Sequence, residues 1–412
     1  LRAVKSVLIV AGNLKRAQPM VDEDMILMRA LRDFNTPKMV APDIPIFQRL
    51  VSDLFPGMTL DKNQNELLES ACLKVCAEHG LQSDDGFVTK VVELQELIEV
   101  RHSVMLIGPA GCSKTSIWRT LSRCHNLDAP KPVCVCETIN PKAVTSNELY
   151  GFMNLAKEWK DGVLSIIMRN MTKNQIPFRE HQANKWVVLD GDIDAVWIES
   201  MNTVMDDNKV LTLVSNERIP LSPSMRMVFE IDSLANATPA TVSRAGILFI
   251  NAGDVGYFPV IESWIEKRRD EREMATLPGL FQRYVPALIE LLAADEDIVQ
   301  ISPVVNISAV GTVCHLLEGM LEALSAANRG EQASPDDIEG IFCMTLMWAF
   351  GGALIDTKMA RSRTHFDKIW RDNFKKVAIP AEGNVLDYYF DIEAEVMGRR
   401  EFVHWSNQVE QY

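Results

Sequence analysis

Eight consecutive residues, Gly108-Pro109-Ala110-Gly111-Cys112-Ser113-Lys114-Thr115, narrow the possible folds of this chain more than any other stretch. They follow a short continuous apolar run, Val104-Met105-Leu106-Ile107, and lead into a run of helical character, Ser116 to Ser122. A buried strand that turns through glycines into a helix gathers backbone N–H groups at the helix N-terminus. The positive end of the helix dipole adds to them, so such a turn suits phosphate. Lys114 supplies counter-charge and the Thr115 hydroxyl a magnesium ligand. Gly108, Pro109, Ala110, Gly111, Cys112, Ser113, Lys114, Thr115 and Ser116 are thus the candidate nucleotide-binding residues. One position departs from the pattern G-x-x-x-x-G-K-S/T. Ser113 stands where glycine is expected, and a side chain there strains the loop or crowds the phosphates. A chance glycine turn is the plain alternative, but it does not account for strand, loop, Lys, Thr and helix falling in order.

A loop of this kind works with an acidic residue at the end of another strand. Trp186-Val187-Val188-Leu189-Asp190 provides one, and Asp190 is expected to hold Mg²⁺ or a metal-bound water. Taken alone, Asp190 could be a mere helix cap. In an active ATPase of this layout the next residue is usually a glutamate that polarises the attacking water; here it is Gly191. Asp192 is nearby but carries a shorter side chain. The residues therefore predict binding of ATP or ADP without efficient hydrolysis. Two alternatives remain: an ATPase that works through Asp192 or a water network, and a scaffold or docking module that no longer needs nucleotide.

Further apolar runs, Met225-Arg226-Met227-Val228-Phe229 and Gly246-Ile247-Leu248-Phe249-Ile250, predict a parallel sheet with both faces covered, over about 85–265. Residues 1–55 read as helical, with Val4, Val7, Leu8 and Ala11, then Ile26, Leu27, Ala30 and Leu31, at helical spacing. Pro56-Gly57 marks a stop, and a further helix is expected over about 64–80, ending at Gly80. Helices return from about 275 to 380, as a lid. The aromatic residues after Gly383 read as the entry into another domain. The opening Leu1-Arg2-Ala3-Val4, inside a helical pattern and without an initiator Met, predicts a piece of something longer.

Lys and Arg number 42 against 56 Asp and Glu, and the resulting charge of −14 argues against a nucleic-acid-binding surface. The eight cysteines, including Cys72 with Cys76 and Cys134 with Cys136, lack a disulfide or zinc rhythm and read as buried thiols of a reducing compartment. No signal peptide is visible and no apolar run reaches the ~18 residues of a membrane span, so a cytosolic protein without membrane contact is expected. The mixed-sign run Lys267 to Glu273 reads as a solvated helix face. Arg218 lies in a turn-like stretch that could mark a hairpin. His79, His102, His125 and His181 read as surface or satisfied polar residues.

The segment Trp186 to Leu221, together with Thr238-Pro239-Ala240-Thr241-Val242-Ser243-Arg244, closely resembles the second AAA+ module of dynein heavy chains. Ile139 to Val144, Glu148-Leu149-Tyr150-Gly151 and Glu158 to Gly162 agree with it, and the resemblance covers essentially the whole chain. Asn202 to Asn208 and Trp264 to Arg268 are closer to axonemal than to cytoplasmic dyneins, and point toward an outer-arm chain. The resemblance implies an α/β AAA+ P-loop NTPase core with a parallel sheet, flanked by all-helical lid subdomains. It implies a division into 1–60, the helical lid of the preceding first module; 61–270, the large α/β subdomain of the second; 271–380, its helical lid; and 381–412, the lead-in to the third. It further implies that Arg244 acts in trans as an arginine finger on ATP held by the first module, although a purely structural ion pair is the bland reading. Arg2 falls where the first module's lid would place a sensor arginine. Phe87 and Val88, which precede the first core strand, would line the adenine pocket. A sensor asparagine is missing, because the strand containing Phe229 runs into Glu230-Ile231-Asp232. The implied cofactors are ATP or ADP and Mg²⁺. The implied partners are neighbouring AAA+ modules of the same heavy chain and, through the whole complex, intermediate and light chains and microtubules. The implied location is the cytoplasm, the cytoskeleton and the axoneme of a cilium or flagellum.

Overall fold

A computed structural model describes residues 2–40, 42–58, 65–174, 183–206, 208–328, 333–357, 361–393 and 400–409, apart from the side chains of Arg2, Ala3, Ser6, Ala17, Ala195 and Val409. The chain divides into two compact units, Leu1–Val255 and Gly256–Tyr412.

The first unit is built on five parallel strands: β1 (Ser103–Ile107), β2 (Cys134–Ile139), β3 (Asn184–Asp190), β4 (Met225–Ile231) and β5 (Gly246–Phe249). Their order in the sheet is β2-β3-β4-β1-β5. Successive side chains of a strand point to opposite faces, and here each face meets its own core. Met105, Ile107, Val187, Leu189, Met227 and Phe229 pack on one side, against helix Val163–Thr172 and Trp197. Val104, Leu106, Trp186, Val188, Val228 and Leu248 pack on the other, against helices Glu66–His79, Asp85–Val100 and Lys114–Asn126. A sheet covered on both faces needs strands apolar at every position, which is why these runs show no alternation.

Ahead of this core lie helices Arg2–Ala17, Glu23–Asn35 and Ile44–Leu54, with Val7, Ala30 and Phe34 buried together. The helix Glu66–His79 ends at Gly80, whose φ of 63° supplies the left-handed stop. Two small antiparallel hairpins, Gly151–Met153 with Trp159–Asp161 and Val210–Thr212 with Arg218–Pro220, leave the sheet; Arg218 belongs to the second. Arg169 ties them together, donating to Asp161 and Glu217 at 2.8 Å each.

The second unit is mainly helical: Phe258–Ile265, Glu271–Ala294, Asn306–Ala327, Pro335–Gly351 and Ser362–Asn373. Asn306–Ala327 corrects one expectation, since its 22 residues have the length and hydropathy of a membrane span. Its Ala309, Val310, Val313, Cys314, Leu317, Leu321 and Leu324 form a stripe buried in the helical core, so the apolarity is spent on packing. The run Lys267 to Glu273 is also less solvated than its charges suggest. Glu273 is buried and pairs with Arg268 at 2.8 Å, and the Arg268 guanidinium lies over Trp264. Tyr388–Phe390 pairs with Phe402–His404, and Tyr388, Phe390 and Phe402 pack into the same helical core. All eight cysteines are free thiols, seven of them buried.

Candidate functional site

The site forms at the carboxyl ends of the parallel strands, where open α/β sheets bind their ligands. β1 ends at Ile107, and Gly108 passes so close to β5 that a Cβ there would stand 2.2 Å from the Ile250 carbonyl oxygen. Only glycine fits. The Gly108 N–H donates to the Ile231 carbonyl at the end of β4, which fixes where the loop departs. Gly111 (φ 79°) and Ser113 (φ 75°) both take left-handed backbone. For Ser113 that conformation costs about 1–2 kcal/mol, and its side chain makes no helix-capping hydrogen bond. The departure noticed in the sequence is thus a strained position. The helix itself begins at Lys114, two residues earlier than its apolar pattern suggests.

The Lys114 ammonium donates to the carbonyls of Gly108 (2.5 Å) and Pro109 (2.9 Å), folded over the loop it follows. The Cys112 thiol is buried, and burial raises its pKa, with Lys114 opposing the shift; it is a packing group rather than a nucleophile. Thr115 donates its hydroxyl proton to Glu230 Oε1, and the Trp118 indole N–H donates to Glu230 Oε2 at 3.0 Å. Glu230 and Asp190 are register partners on β4 and β3, with Glu230 buried and Asp190 exposed. A threonine hydroxyl bonded to one carboxylate, with a second carboxylate at the matching register position of the neighbouring strand, is a set of hard oxygen donors, which fits Mg²⁺. Thr115, Asp190 and Glu230 are the residues that would hold or orient that ion.

Gly191 follows Asp190, and its N–H donates to the Glu230 carbonyl at 3.1 Å. A Cβ on Gly191 would stand 3.2 Å from both Asn140 Oδ1 and Pro141 Cδ, so the turn after β2 presses on this position. Asp192 is occupied elsewhere. Its Oδ1 accepts from the Asp232 N–H at 3.0 Å, and its Oδ2 lies 3.8 Å from the Lys142 ammonium.

Phe87 and Val88 sit in the first turn of helix Asp85–Val100, so a full helix separates them from β1. Phe87 is buried in the core that contains Cys112 and Ile250, and Val88 packs against it half-exposed. Arg244 lies just before β5, whose first residue, Gly246, pairs with Val104 near the start of β1. It therefore lies at the amino ends of the strands, the end of the sheet away from the phosphate loop. The Arg244 guanidinium donates to Asn202 Oδ1 (3.2 Å) and the Ala240 carbonyl (2.9 Å), and its Nε lies 4.0 Å from Asp206. Arg2 is on the first helix, with its side chain outside the described residues, as is His181. His102 and His125 are satisfied, at 2.9 Å from the Val204 carbonyl and from Gln95 Oε1.

The sequence reading missed Glu230 as a site residue, along with Trp118 and Asn202. For Glu230 a signal was present. A single carboxylate within Met225–Ile231, otherwise apolar but for Arg226, must find donors nearby, because a buried charge without them is costly.

Residues 1–115 match the family described as the hydrolytic ATP binding site of the dynein motor region, 103–245 the dynein-related subfamily of AAA domains, and 277–407 the dynein heavy chain AAA lid domain. The chain is 46% identical over 411 residues to dynein axonemal heavy chain 17 of Mus musculus, covering 99% of this chain. It is 46% identical over 410 residues to the ciliary dynein beta chain of Tripneustes gratilla, again covering 99%. It is 45% identical over 419 residues to the flagellar outer-arm dynein beta chain of Chlamydomonas reinhardtii, covering 100%. The chain spans 9% of the length of each of these relatives.

Proposed function

The chain belongs to the dynein heavy chains, as part of their AAA+ motor region, and from that premise we propose that its α/β unit holds ATP or ADP with Mg²⁺ without hydrolysing it efficiently. One observation carries the reading. Gly191 occupies the position where a water-polarising glutamate is needed, and the Asn140-Pro141 turn leaves little room there for a side chain. The nearest substitute, Asp192, is already held by the Asp232 N–H. The chain's own residues then bind and orient. Lys114 and the loop N–H groups meet the phosphates, while Thr115 and Asp190 meet the metal, which when bound screens phosphate charge. Phe87 and Val88 stand on the adenine side.

The contribution to catalysis is made in trans. Arg244 is at the amino ends of the strands, away from its own phosphate loop, so a nucleotide it reaches belongs to another module. Asn202 and Asp206 hold its guanidinium ready at that end. A planar guanidinium entering a neighbouring site stabilises charge developing on the γ-phosphate. On this reading residues 1–60 are the lid of the first module, with Arg2 as its sensor. Residues 61–270 and 271–380 are then the large subdomain and lid of the second, and 381–412 lead toward the third. The relatives' names, axonemal, ciliary and flagellar outer arm, support a motor that works in the axonemal cytoskeleton. Its partners there would be adjoining AAA+ modules, intermediate and light chains, and microtubules reached through the complex.

The test is the nucleotide content of the purified 412-residue chain, with phosphate release measured alongside. The expected result is ATP or ADP near one per chain, none in Lys114→Ala, and no phosphate release above background. Phosphate release abolished by Lys114→Ala would instead make the module an ATPase, and an empty wild-type chain would make it a scaffold.

A further inference from the structure

Glu230 is the only acidic residue of β4 and is 7% exposed, on a strand flanked by β3 and β1. A carboxylate so placed is stable only when donors meet its lone pairs. Two do. Thr115 and Trp118, three residues apart on one face of the helix that follows the phosphate loop, each donate to one of its oxygens. Both donors are neutral, and among the described residues no basic side chain forms an ion pair with Glu230. Its negative charge is thus directed at the Thr115 hydroxyl without a basic side chain paired to it among the described residues.

A hydroxyl that donates its proton in one direction turns its oxygen lone pairs away from that direction. Because Thr115 donates to Glu230, its lone pairs are presented for a cation. We propose that Glu230 is the positioning residue for magnesium at this site: it accepts the Thr115 hydrogen bond, orients that hydroxyl as a metal ligand, and is itself fixed by Trp118. This deepens the nucleotide-binding reading and rests on it. It also gives a role to the position where a sensor asparagine is missing. Asp190, exposed at the strand end, is left free to meet the hydration shell of the ion.

The test separates metal dependence from nucleotide binding. A fluorescent ADP analogue is titrated into the 412-residue chain with Mg²⁺ and, separately, with EDTA. The ratio of the two affinities is compared for wild type, Glu230→Gln, Glu230→Asp and Trp118→Phe. Loss of an outer partner of a metal ligand typically costs about 10–100-fold in metal affinity, so Glu230→Gln is expected to lower the Mg²⁺ ratio about 10-fold or more. The EDTA affinity should stay within about twofold of wild type. Glu230→Asp, which keeps the carboxylate, should recover part of the ratio, and Trp118→Phe should lower it less than Glu230→Gln. Equal losses with Mg²⁺ and with EDTA, or an unchanged ratio, would overturn the proposal. If Glu230→Gln does not fold, an unchanged ratio in Trp118→Phe would overturn it as well. Failure of the underlying reading looks different, because wild type would then bind the analogue under neither condition.

Discussion

Replacing Ser113 by glycine should stabilise the first unit, against the usual rule that glycine weakens a structure. Ser113 has φ 75° and ψ 17°, a left-handed conformation that costs a non-glycine residue about 1–2 kcal/mol. Glycine adopts it freely, but its looser unfolded chain takes back about 0.4–1 kcal/mol. The serine hydroxyl makes no capping bond to offset the strain. The net gain works out at about 1 kcal/mol, which for a body the size of Leu1–Val255 raises the melting temperature by about 2–4 °C. Urea or thermal denaturation without nucleotide is the assay. Ser113→Ala serves as the control, since it removes the hydroxyl and keeps the strain; it should lie within about 0.5 kcal/mol of wild type. A glycine variant less stable than wild type would refute the strain argument. So would an alanine variant that matches the glycine gain, because that would place the effect in the hydroxyl and not in the backbone.

In the helical unit, a Cβ on Gly340 would stand 2.3 Å from Phe390 Cε2. Gly340→Ala should therefore destabilise that unit in urea, the overpacking cost of about 1–3 kcal/mol exceeding the ~1 kcal/mol that alanine gains in helix propensity. Burial holds both His102 and His125 below the ordinary histidine range, although the Val204 carbonyl opposes this at His102 and Glu99 opposes it at His125. The fold thus favours the neutral imidazoles, and the unfolded chain binds more protons as pH falls through about 6.5. Stability present above that pH should decline below it, and His125→Gln should flatten the decline in the urea midpoint between pH 7.5 and 5.5.

Much of this architecture was legible because its determinants are local. A continuous apolar run ending in a glycine loop has few structural readings, and Met105, Val187 and Met227 fell on strands for that reason. Gly80 and the turn at Pro56-Gly57 stopped helices as their backbone preferences dictate. What the sequence hid depends on pairs distant in the chain. Glu230 looked like a lost sensor until the fold brought Thr115 and Trp118 to it across more than a hundred residues. The cramped surroundings of Gly191 come from Asn140 and Pro141 on another loop. The burial of Glu273 and the packing of helix Asn306–Ala327 likewise follow from tertiary partners, which charge pattern and hydropathy cannot register. The end of the sheet at which Arg244 lies became readable only through the pairing of Gly246 with Val104.

The most direct test of the central claim, an arginine acting on a neighbour beside a site that only binds, is ATP turnover by a heavy-chain motor that includes the preceding module. Wild type is compared with Arg244→Ala and Lys114→Ala. An arginine finger is worth about 10³–10⁵ in turnover, so Arg244→Ala is predicted to reduce hydrolysis about a thousandfold while nucleotide stays bound at Lys114. Lys114→Ala should empty this module and leave most of the hydrolysis in place. The opposite pattern, with turnover lost in Lys114→Ala and preserved in Arg244→Ala, would contradict the account.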